Sequence, residues 1–295
     1  MKPANFDYAC PRTVDEACRL LAGANGDGKI IAGGQTLVPL LAMRLARPAL
    51  LIDINRIEAL RGIEAHDRVV TVKACTRQAD ALKSDAIRAQ LPLLAKALQF
   101  VGHPQTRNRG TVGGSLANAD PAAEIGVAAL ALDCEIVARR PGSERTIPIG
   151  AFFQGTMSTA LAAEECLTAI RFRASRDAGR IGTSFQEVSI RRSDFALVAA
   201  AVQLGLDAGG ACRRIAISLG GIGEMPVRVA EEAATSLVGT RLAAADLAKA
   251  VAAIRDSLEP RADIHASADY RRRVAGALVE RAIAEARDEA LAGKG

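Results

Sequence analysis

The sequence has few aromatic residues and no tryptophan. Only 3% of its 295 residues are Phe, Trp or Tyr, so aliphatic side chains must fill the core, and a site that stacks nucleobases on aromatic rings is disfavoured. No run of 18 apolar residues occurs, and the amino terminus lacks the apolar segment of a secretory signal. These absences favour a cytoplasmic globular protein without a membrane span, and the length allows two or three domains.

Closely spaced metal ligands are also absent from the sequence. None of the cysteines lies within four residues of another, and the three histidines are equally dispersed; the six cysteines are Cys10, Cys18, Cys75, Cys134, Cys166 and Cys212. Zinc sites and iron–sulfur clusters favour ligands at such short spacings. The sequence therefore predicts no metal site in this chain.

The net charge is +5, but the basic residues are scattered along the chain. One run of three, Arg271-Arg272-Arg273, lies in a stretch with amphipathic helical spacing. This pattern favours a solvated helix face over a patch that binds nucleic acid.

Two segments with adjacent glycines are the strongest candidates for a binding site. The first, Ala32-Gly33-Gly34-Gln35-Thr36, follows Lys29-Ile30-Ile31, and the second, Thr111-Val112-Gly113-Gly114-Ser115, follows a polar run at residues 105–109. We predict that each follows a strand, where successive backbone N–H groups can converge on an anion. Either segment alone is also compatible with an ordinary tight turn. Their matching chemistry predicts two halves of one pyrophosphate site.

The hydrophobic pattern predicts a β-α-β unit around the first segment. A helix capped by Thr13 ends near Gly23, and it is followed by a strand at 29–32, a helix at 36–46 and a strand at 49–54. Beyond this unit we expect strands at 69–72, 134–138, 146–149 and 166–172, with helices at 79–89, 91–100 and 120–132.

The polar, glycine-containing residues 173–182 are the best candidate for a linker. After it we expect strands at 184–190, 196–206 and 213–219, then helices at 244–254 and 270–290. A third glycine cluster, Gly220-Gly221-Ile222-Gly223, is followed by Pro226 instead of a helix. It is therefore predicted to be a connecting loop and not a phosphate site.

Residues 101–124 resemble the signature of the FAD-binding medium subunit of the molybdenum hydroxylases, the family of xanthine dehydrogenase and aerobic carbon monoxide dehydrogenase. The resemblance extends over essentially the whole chain. It includes residues 32–37 with Asp53, Arg191 with Asp194 and Phe195, Gly220-Gly221 with Arg228, and the segment Asp269-Tyr270-Arg271-Arg272.

The resemblance implies an α+β fold with two domains. Residues 1–176 would form a two-part FAD-binding domain of the vanillyl-alcohol oxidase type (PCMH-like), with subdomains of about 1–57 and 58–176. Residues 177–295 would form a small C-terminal domain of the carbon monoxide dehydrogenase flavoprotein type, with a three-stranded antiparallel sheet and a helical bundle.

The resemblance also implies a set of cofactor-binding residues, and it implies neither a catalytic residue nor a metal ligand in this chain. The set is Lys29, Ile30, Ile31, Ala32, Gly33, Gly34, Gln35, Thr36, Leu37, Val101, Thr111, Val112, Gly113, Gly114, Ser115, Asp120, Glu124 and Leu167. Glu187 stands where many members of the family have lysine. If Glu187 faces the flavin ring, it would disfavour an anionic reduced flavin, but strand alternation equally allows it to point to solvent.

For the function, the resemblance implies an oxidoreductase subunit that carries FAD. Electrons would come from [2Fe-2S] clusters of a small iron-sulfur partner subunit, after oxidation of the substrate at the molybdenum cofactor of a large partner subunit, and would pass to an external acceptor. A dimer of such heterotrimers is one possible assembly. Three alternatives remain: a self-sufficient flavin-dependent oxidoreductase of the same fold, a nucleic-acid-binding protein, and a scaffold subunit with a degenerate site.

Overall fold

The structure is a computed structural model that describes residues 2–174 and 180–293. The chain begins with a small parallel sheet flanked by two helices: β1 (Asp7–Ala9), α1 (Val14–Gly23), β2 (Gly28–Ile31), α2 (Leu37–Ala42) and β3 (Leu50–Asp53). The strand order is β1-β3-β2, and β3 runs parallel to both neighbours. The predicted β-α-β unit is thus confirmed as β2, α2 and β3, whereas strand β1 was not predicted.

Local sequence signals explain where these first two helices begin and end. The Thr13 hydroxyl accepts a hydrogen bond from the Glu16 N–H at 3.2 Å and caps α1, as predicted. Helix α2 is shorter than the predicted 36–46, because Arg44 adopts a left-handed conformation with φ of 61° just after Met43.

A second, five-stranded antiparallel sheet and six helices complete residues 2–174. In chain order the elements are β4 (Ile63–His66), β5 (Val69–Lys73), α3 (Gln78–Lys83), α4 (Asp85–Gln90), α5 (Pro92–Phe100), α6 (Pro104–Arg109), α7 (Val112–Asn118), α8 (Glu124–Ala131), β6 (Glu135–Arg140), β7 (Ser143–Pro148), β8 (Phe153–Gly155), β9 (Ser158–Thr159) and β10 (Cys166–Arg173). The five strands have the order β4-β5-β10-β6-β7, and β8 pairs with β9.

Three predictions for this region, two helices and one strand, need correction. The helix expected at 79–89 is divided into α3 and α4, because Ser84 ends one and caps the next. The polar residues before the second glycine segment form helix α6 and not a strand. The helix expected from Asp120 begins at Glu124, since the Asp120 carboxylate accepts the Ala122 N–H (2.9 Å) and closes a turn there.

The remaining residues form one antiparallel sheet and three helices. These are β11 (Arg180–Ser189), β12 (Ala196–Leu206), β13 (Cys212–Gly220), β14 (Val227–Arg228), α9 (Glu231–Thr235), α10 (Ala244–Ser257) and α11 (Ala268–Ala292). The sheet has four strands in the order β11-β12-β13-β14, so the expectation of three strands was wrong. Strand β14 has two residues, too few for any sequence periodicity to show.

The sheet of β11 to β14 contributes to two hydrophobic cores. Ala199 and Ala201 of β12 belong to the core of the amino-terminal residues, whereas Val198 and Val202 belong to a second core with α10 and α11. Both cores consist mainly of aliphatic residues. The linker predicted at 173–182 is too long, because residue 173 ends β10 and residues 180–182 begin β11; residues 175–179 lie outside the described residues. No helix within residues 2–174 or 180–293 is long and apolar enough to cross a membrane.

Candidate functional site

The first glycine segment connects β2 to α2 and leaves a series of backbone donors unused. Gly34 has φ of 70°, a conformation that glycine adopts without strain. Within the described part of the chain, no acceptor pairs with the backbone N–H groups of residues 33–36. These residues are partly or fully exposed. Consecutive free N–H groups of this kind form a site for an anion.

The second glycine segment is the start of helix α7 and not an open turn. The Thr111 hydroxyl accepts the Gly114 N–H at 3.0 Å, which caps the helix. The N–H groups of Val112 and Gly113 donate to the Thr76 and Ala74 carbonyls, each at 3.0 Å. Most donors of this segment are therefore used inside the protein, and it offers a ligand chiefly the Ser115 hydroxyl and the bare surface of Gly114.

The two glycine segments lie in contact with each other. A Cβ atom placed on Gly33 would come within 2.8 Å of the Gly110 Cα, so this close approach requires glycine. A Cβ on Gly114 would lie 3.8 Å from the Ala32 Cβ. The segments thus form two walls of one cleft, which we call the glycine cleft.

A polar network ties the two walls of the glycine cleft together. The Asn55 side-chain amide donates to the Ala32 carbonyl (2.6 Å) and to Asp53 Oδ1 (2.7 Å). Arg77 donates to Asn55 Oδ1 at 2.8 Å and also to the Arg109 carbonyl. Burial raises the pKa of Asp53, but hydrogen bonds from Tyr8 and Asn55 outweigh burial and leave that pKa below its usual value.

Sequence reasoning missed Asn55 and Arg77. Asn55 lies just beyond the carboxyl end of the parallel strand β3, where polar residues collect around ligands in α/β sheets, so its position was a usable signal. Nothing in the sequence around Arg77 points to its role.

The other predicted site residues lie in several environments. Lys29, Ile30 and Ile31 belong to β2, and Leu37 begins α2. Val101 and Leu167 are only 8% and 5% exposed, so they offer little surface to a ligand. The Val101 carbonyl already accepts a hydrogen bond from Arg107 at 2.8 Å.

Two glutamates, Glu124 at the start of α8 and Glu187 in β11, interact electrostatically. Glu124 is 9% exposed, and burial raises its pKa to about 7. Burial raises the pKa of Glu187 to about 8, and the charge of Glu124 adds to this shift. Glu187 Oε2 is buried and has no hydrogen-bond partner among the described residues. The alternative that Glu187 points to solvent is therefore wrong.

Two further expectations concerned regions away from the glycine cleft. Gly220 ends β13, residues 221–223 lie in the loop that follows it, and the Gly221 N–H donates to the Pro121 carbonyl at 2.9 Å. Arg271, expected on a solvated face, is 5% exposed and donates to the Gly221 carbonyl (2.6 Å) and to Asp263 (2.6 Å). Over residues 2–174 and 180–293, no three His, Cys, Asp or Glu side chains come together in a way that could hold a metal ion.

Comparison with known protein families defines the class of this chain. Residues 4–172 match the family described as the FAD binding domain in molybdopterin dehydrogenase, and residues 183–286 match the CO dehydrogenase flavoprotein C-terminal domain. The chain therefore belongs to the family of FAD-binding medium subunits of molybdopterin dehydrogenases. It is an oxidoreductase subunit of molybdenum-containing dehydrogenase complexes.

Individual relatives resemble the chain along nearly its whole length. The chain is 40% identical to the alpha subunit of the 6-hydroxypseudooxynicotine dehydrogenase complex of Paenarthrobacter nicotinovorans, covering 97% of this chain and 96% of that one. Carbon monoxide dehydrogenase from Hydrogenophaga pseudoflava has a similar structure, with a TM-score of 0.94, 35% identity and coverage of 98% and 99%. Quinoline 2-oxidoreductase from Pseudomonas putida 86 is also similar in structure, with a TM-score of 0.93 and 33% identity. The match covers 99% of this chain and 100% of that one. These relatives act on different substrates.

Proposed function

We propose that the glycine cleft binds the pyrophosphate of FAD between residues 32–36 and residues 111–115. The unpaired N–H groups of residues 33–36 carry this proposal, because a dianion satisfies such donors. Glu124 would meet hydroxyl groups of the cofactor. Residues 29–31, Leu37, Val101, Asp120 and Leu167 would line the rest of the site, mainly through backbone atoms. The bound flavin supplies the redox chemistry, and the protein binds and orients it.

The relatives are subunits of larger dehydrogenases, and this supports a role for the chain in electron transfer within such a complex. We infer that the chain accepts electrons from [2Fe-2S] clusters of a small partner subunit and passes them to an external acceptor, with the molybdenum cofactor in a large partner subunit. Its membership of a family of medium subunits supports this division of labour. A dimer of heterotrimers and a cytoplasmic location stay predictions, as does the absence of nucleic-acid binding. Turnover by the isolated chain would instead favour a self-sufficient flavin oxidoreductase.

The domain organisation belongs to the same proposal. We propose an FAD-binding domain of the vanillyl-alcohol oxidase type at 1–176, with subdomains of about 1–57 and 58–176, and a C-terminal domain at 177–295. The change from the first hydrophobic core to the second supports two domains. The boundary at 176 lies outside the described residues.

A glycine substitution tests the cofactor assignment. The full chain, freed of flavin, is titrated with FAD, and binding is followed by the change in flavin fluorescence. Gly114→Ala places a Cβ 2.6 Å from the Thr111 hydroxyl and towards Ala32, so we expect the Kd for FAD to rise at least about tenfold, which corresponds to about 1.4 kcal/mol.

Gly150→Ala is the matched control, since a Cβ at Gly150 meets no atom within 4 Å, and it should bind FAD as the parent chain does. Circular dichroism verifies that both variants are folded. Unchanged FAD affinity in Gly114→Ala would refute the placement of the second wall. A parent chain that binds no FAD would refute the proposed function itself.

A further inference from the structure

The side-chain amide of Asn55 is held in one orientation by partners of opposite kinds. Its nitrogen donates to the Ala32 carbonyl (2.6 Å) and to Asp53 Oδ1 (2.7 Å), and its oxygen accepts from Arg77 at 2.8 Å. A carboxylate can only accept hydrogen bonds, and a guanidinium can only donate them. A flip of the amide by 180° would set its oxygen against Asp53 and its nitrogen against Arg77. The flip is therefore disfavoured from both sides.

Asp53 is itself fixed through both of its carboxylate oxygens. Oδ1 accepts the Asn55 backbone N–H at 2.9 Å in addition to the Asn55 amide, and Oδ2 accepts the Tyr8 hydroxyl at 2.6 Å. Tyr8 belongs to β1 and pairs with Leu51 of β3, two positions before Asp53 and therefore on the same face of the sheet. A chain of hydrogen bonds thus runs from Tyr8 through Asp53 and Asn55 to Ala32.

The end of this chain controls the direction of one of the free donors in the glycine cleft. The Ala32 carbonyl and the Gly33 N–H belong to the same peptide unit. Because that unit is planar and trans, its C=O and N–H point in opposite directions. Asn55 holds the carbonyl, and the Gly33 N–H is thereby directed away from Asn55. A glycine at this position would otherwise leave the peptide unit free to rotate.

The next two peptide units of the segment are anchored in the same way, but by their own surroundings. The Gly33 carbonyl accepts a hydrogen bond from the Gln35 side-chain amide at 3.2 Å. The Gly34 carbonyl accepts the Val38 N–H at 3.0 Å. Of these three successive carbonyls, that of Ala32 depends on residues from outside the segment.

Asp53 is poorly suited to bind a phosphate directly. It is a carboxylate at neutral pH, because hydrogen bonds from Tyr8 and Asn55 outweigh its burial and keep its pKa below the usual value. Its charge has the same sign as that of a phosphate, and like charges repel. An acidic residue so close to an anion site therefore needs a role other than ligation.

We propose that Asp53 and Tyr8 are positioning residues of the glycine cleft, which fix the amide of Asn55 and thereby aim the Gly33 N–H at the FAD pyrophosphate. This inference rests on the proposed function, because it takes FAD as the occupant of the cleft. Neither residue contacts the pyrophosphate. Both act through Asn55.

The test compares two neutral substitutions of Asp53 by titration of the flavin-free full chain with FAD. Asp53→Ala removes the acceptor for Asn55, whereas Asp53→Asn keeps an oxygen that can accept from Asn55 and adds a nitrogen that can donate to the Tyr8 hydroxyl oxygen. Both remove the same negative charge, so the ratio of their Kd values reports the hydrogen bond alone. We expect Asp53→Ala to bind FAD about fivefold more weakly than Asp53→Asn, as for the loss of one hydrogen bond.

The same comparison in an Asn55→Ala background separates positioning from every other role. Without Asn55 there is no amide left to orient, so the ratio of the two Kd values should fall to within about twofold of one. Asp256→Ala, at an exposed position on α10, is the control and should bind FAD as the parent chain does. Circular dichroism verifies that each variant is folded.

Tyr8→Phe tests the far end of the chain and does not depend on how well Asp53→Ala folds. Loss of the hydroxyl leaves Asp53 with one donor fewer, so the Kd for FAD should rise about two- to threefold in the parent background and should not change in the Asn55→Ala background. Tyr270→Phe, at the other of the two tyrosines, is the matched control and should bind FAD as the parent does.

Two results would overturn the inference while FAD binding by the parent chain is intact. One is equal affinity in Asp53→Ala and Asp53→Asn, together with no effect of Tyr8→Phe. The other is effects of the same size with and without Asn55, which would show that Asp53 and Tyr8 act by another route. A parent chain that binds no FAD would instead refute the proposed function.

Discussion

At the scale of single residues, the glycine cleft depends on side chains outside the glycine segments. Asn55 holds the Ala32 carbonyl and also accepts a hydrogen bond from Arg77, which in turn holds the Arg109 carbonyl. One amide and one guanidinium therefore fix the backbone on both walls. This arrangement keeps the free N–H groups of residues 33–36 in place before a ligand arrives.

Replacement of Asn55 tests this role. Asn55→Ala removes the donor to Ala32 and leaves Arg77 with one partner fewer, so we expect the free energy of unfolding to fall by about 1–2 kcal/mol and the Kd for FAD to rise about tenfold. Urea unfolding and FAD titration measure the two effects. Asn5→Ala, at an exposed position without a hydrogen bond among the described residues, is the control. FAD affinity that survives Asn55→Ala unchanged would show that the network is structural only.

The sequence was sufficient to select the two glycine segments as a candidate binding site, but it did not reveal the hydrogen-bond network around them. Two adjacent glycines are a local pattern, and so is the glutamate at position 187, where many members of the family have lysine. By contrast, Arg77 reaches Asn55 across 22 positions of the chain, and a contact between distant residues leaves no trace in a local pattern. The burial of Arg271 was missed for the same reason, because its acceptors Leu197 and Gly221 lie on other elements.

At the scale of secondary-structure elements, the second wall of the glycine cleft is the first turn of a helix. Thr111 caps α7, and its side chain is 1% exposed. The cap fixes where the helix begins and so where Gly114 and Ser115 stand relative to Ala32. The Thr111 hydroxyl therefore holds this wall together with the backbone hydrogen bonds of Val112 and Gly113.

Two matched cap substitutions separate stability from binding. Thr111→Ala and Thr13→Ala each remove an N-cap hydroxyl, and each should lower the free energy of unfolding by about 1 kcal/mol. Thr111→Ala alone should also weaken FAD binding several-fold, because Thr13 caps α1. Chemical denaturation and FAD titration of both variants provide the comparison. Equal FAD affinity in the two variants would contradict the assigned role of α7.

The elements that the sequence predicted well are long or strongly periodic. Strands β11, β12 and β13 have 10, 11 and 9 residues. The predicted positions of β12 and β13 agree with the structure to within one residue, whereas β11 begins at Arg180, four residues before its predicted start. Strand β1, with three residues, and β14, with two, were missed because their pairing partners and not their own residues define them. The prediction of a strand at 105–109 was wrong because Pro104 begins helix α6 there.

At the scale of the whole molecule, an ion pair joins the amino-terminal residues to the last helix. Lys96 of α5 donates to Glu289 Oε1 of α11 at 2.8 Å and to the Thr183 carbonyl of β11 at 2.6 Å. The other oxygen of Glu289 accepts the Thr183 N–H at 2.5 Å. These contacts hold β11 against α5, next to the contact of Phe185 with Phe100.

Removal of Lys96 should weaken this junction. Lys96→Met keeps the aliphatic length but leaves Glu289 with one donor fewer, so we expect a loss of about 1 kcal/mol in the free energy of unfolding, smaller at high salt. Arg88→Met, which breaks the exposed pair of Arg88 with Asp85, should have almost no effect. Thermal unfolding at low and high ionic strength measures both. A loss in Lys96→Met that does not depend on salt would show that packing, and not charge, holds the junction.

The alternation of strand β11 makes the length of this strand a chemical constraint. Its odd positions Phe185 and Glu187 face the amino-terminal residues, whereas the even position Val188 packs into the core formed with α11. Insertion of one residue before Phe185 would exchange the two faces. The carboxyl group would then take the position of Val188 among the aliphatic side chains of the second core, and Gln186 would take the position of Glu187.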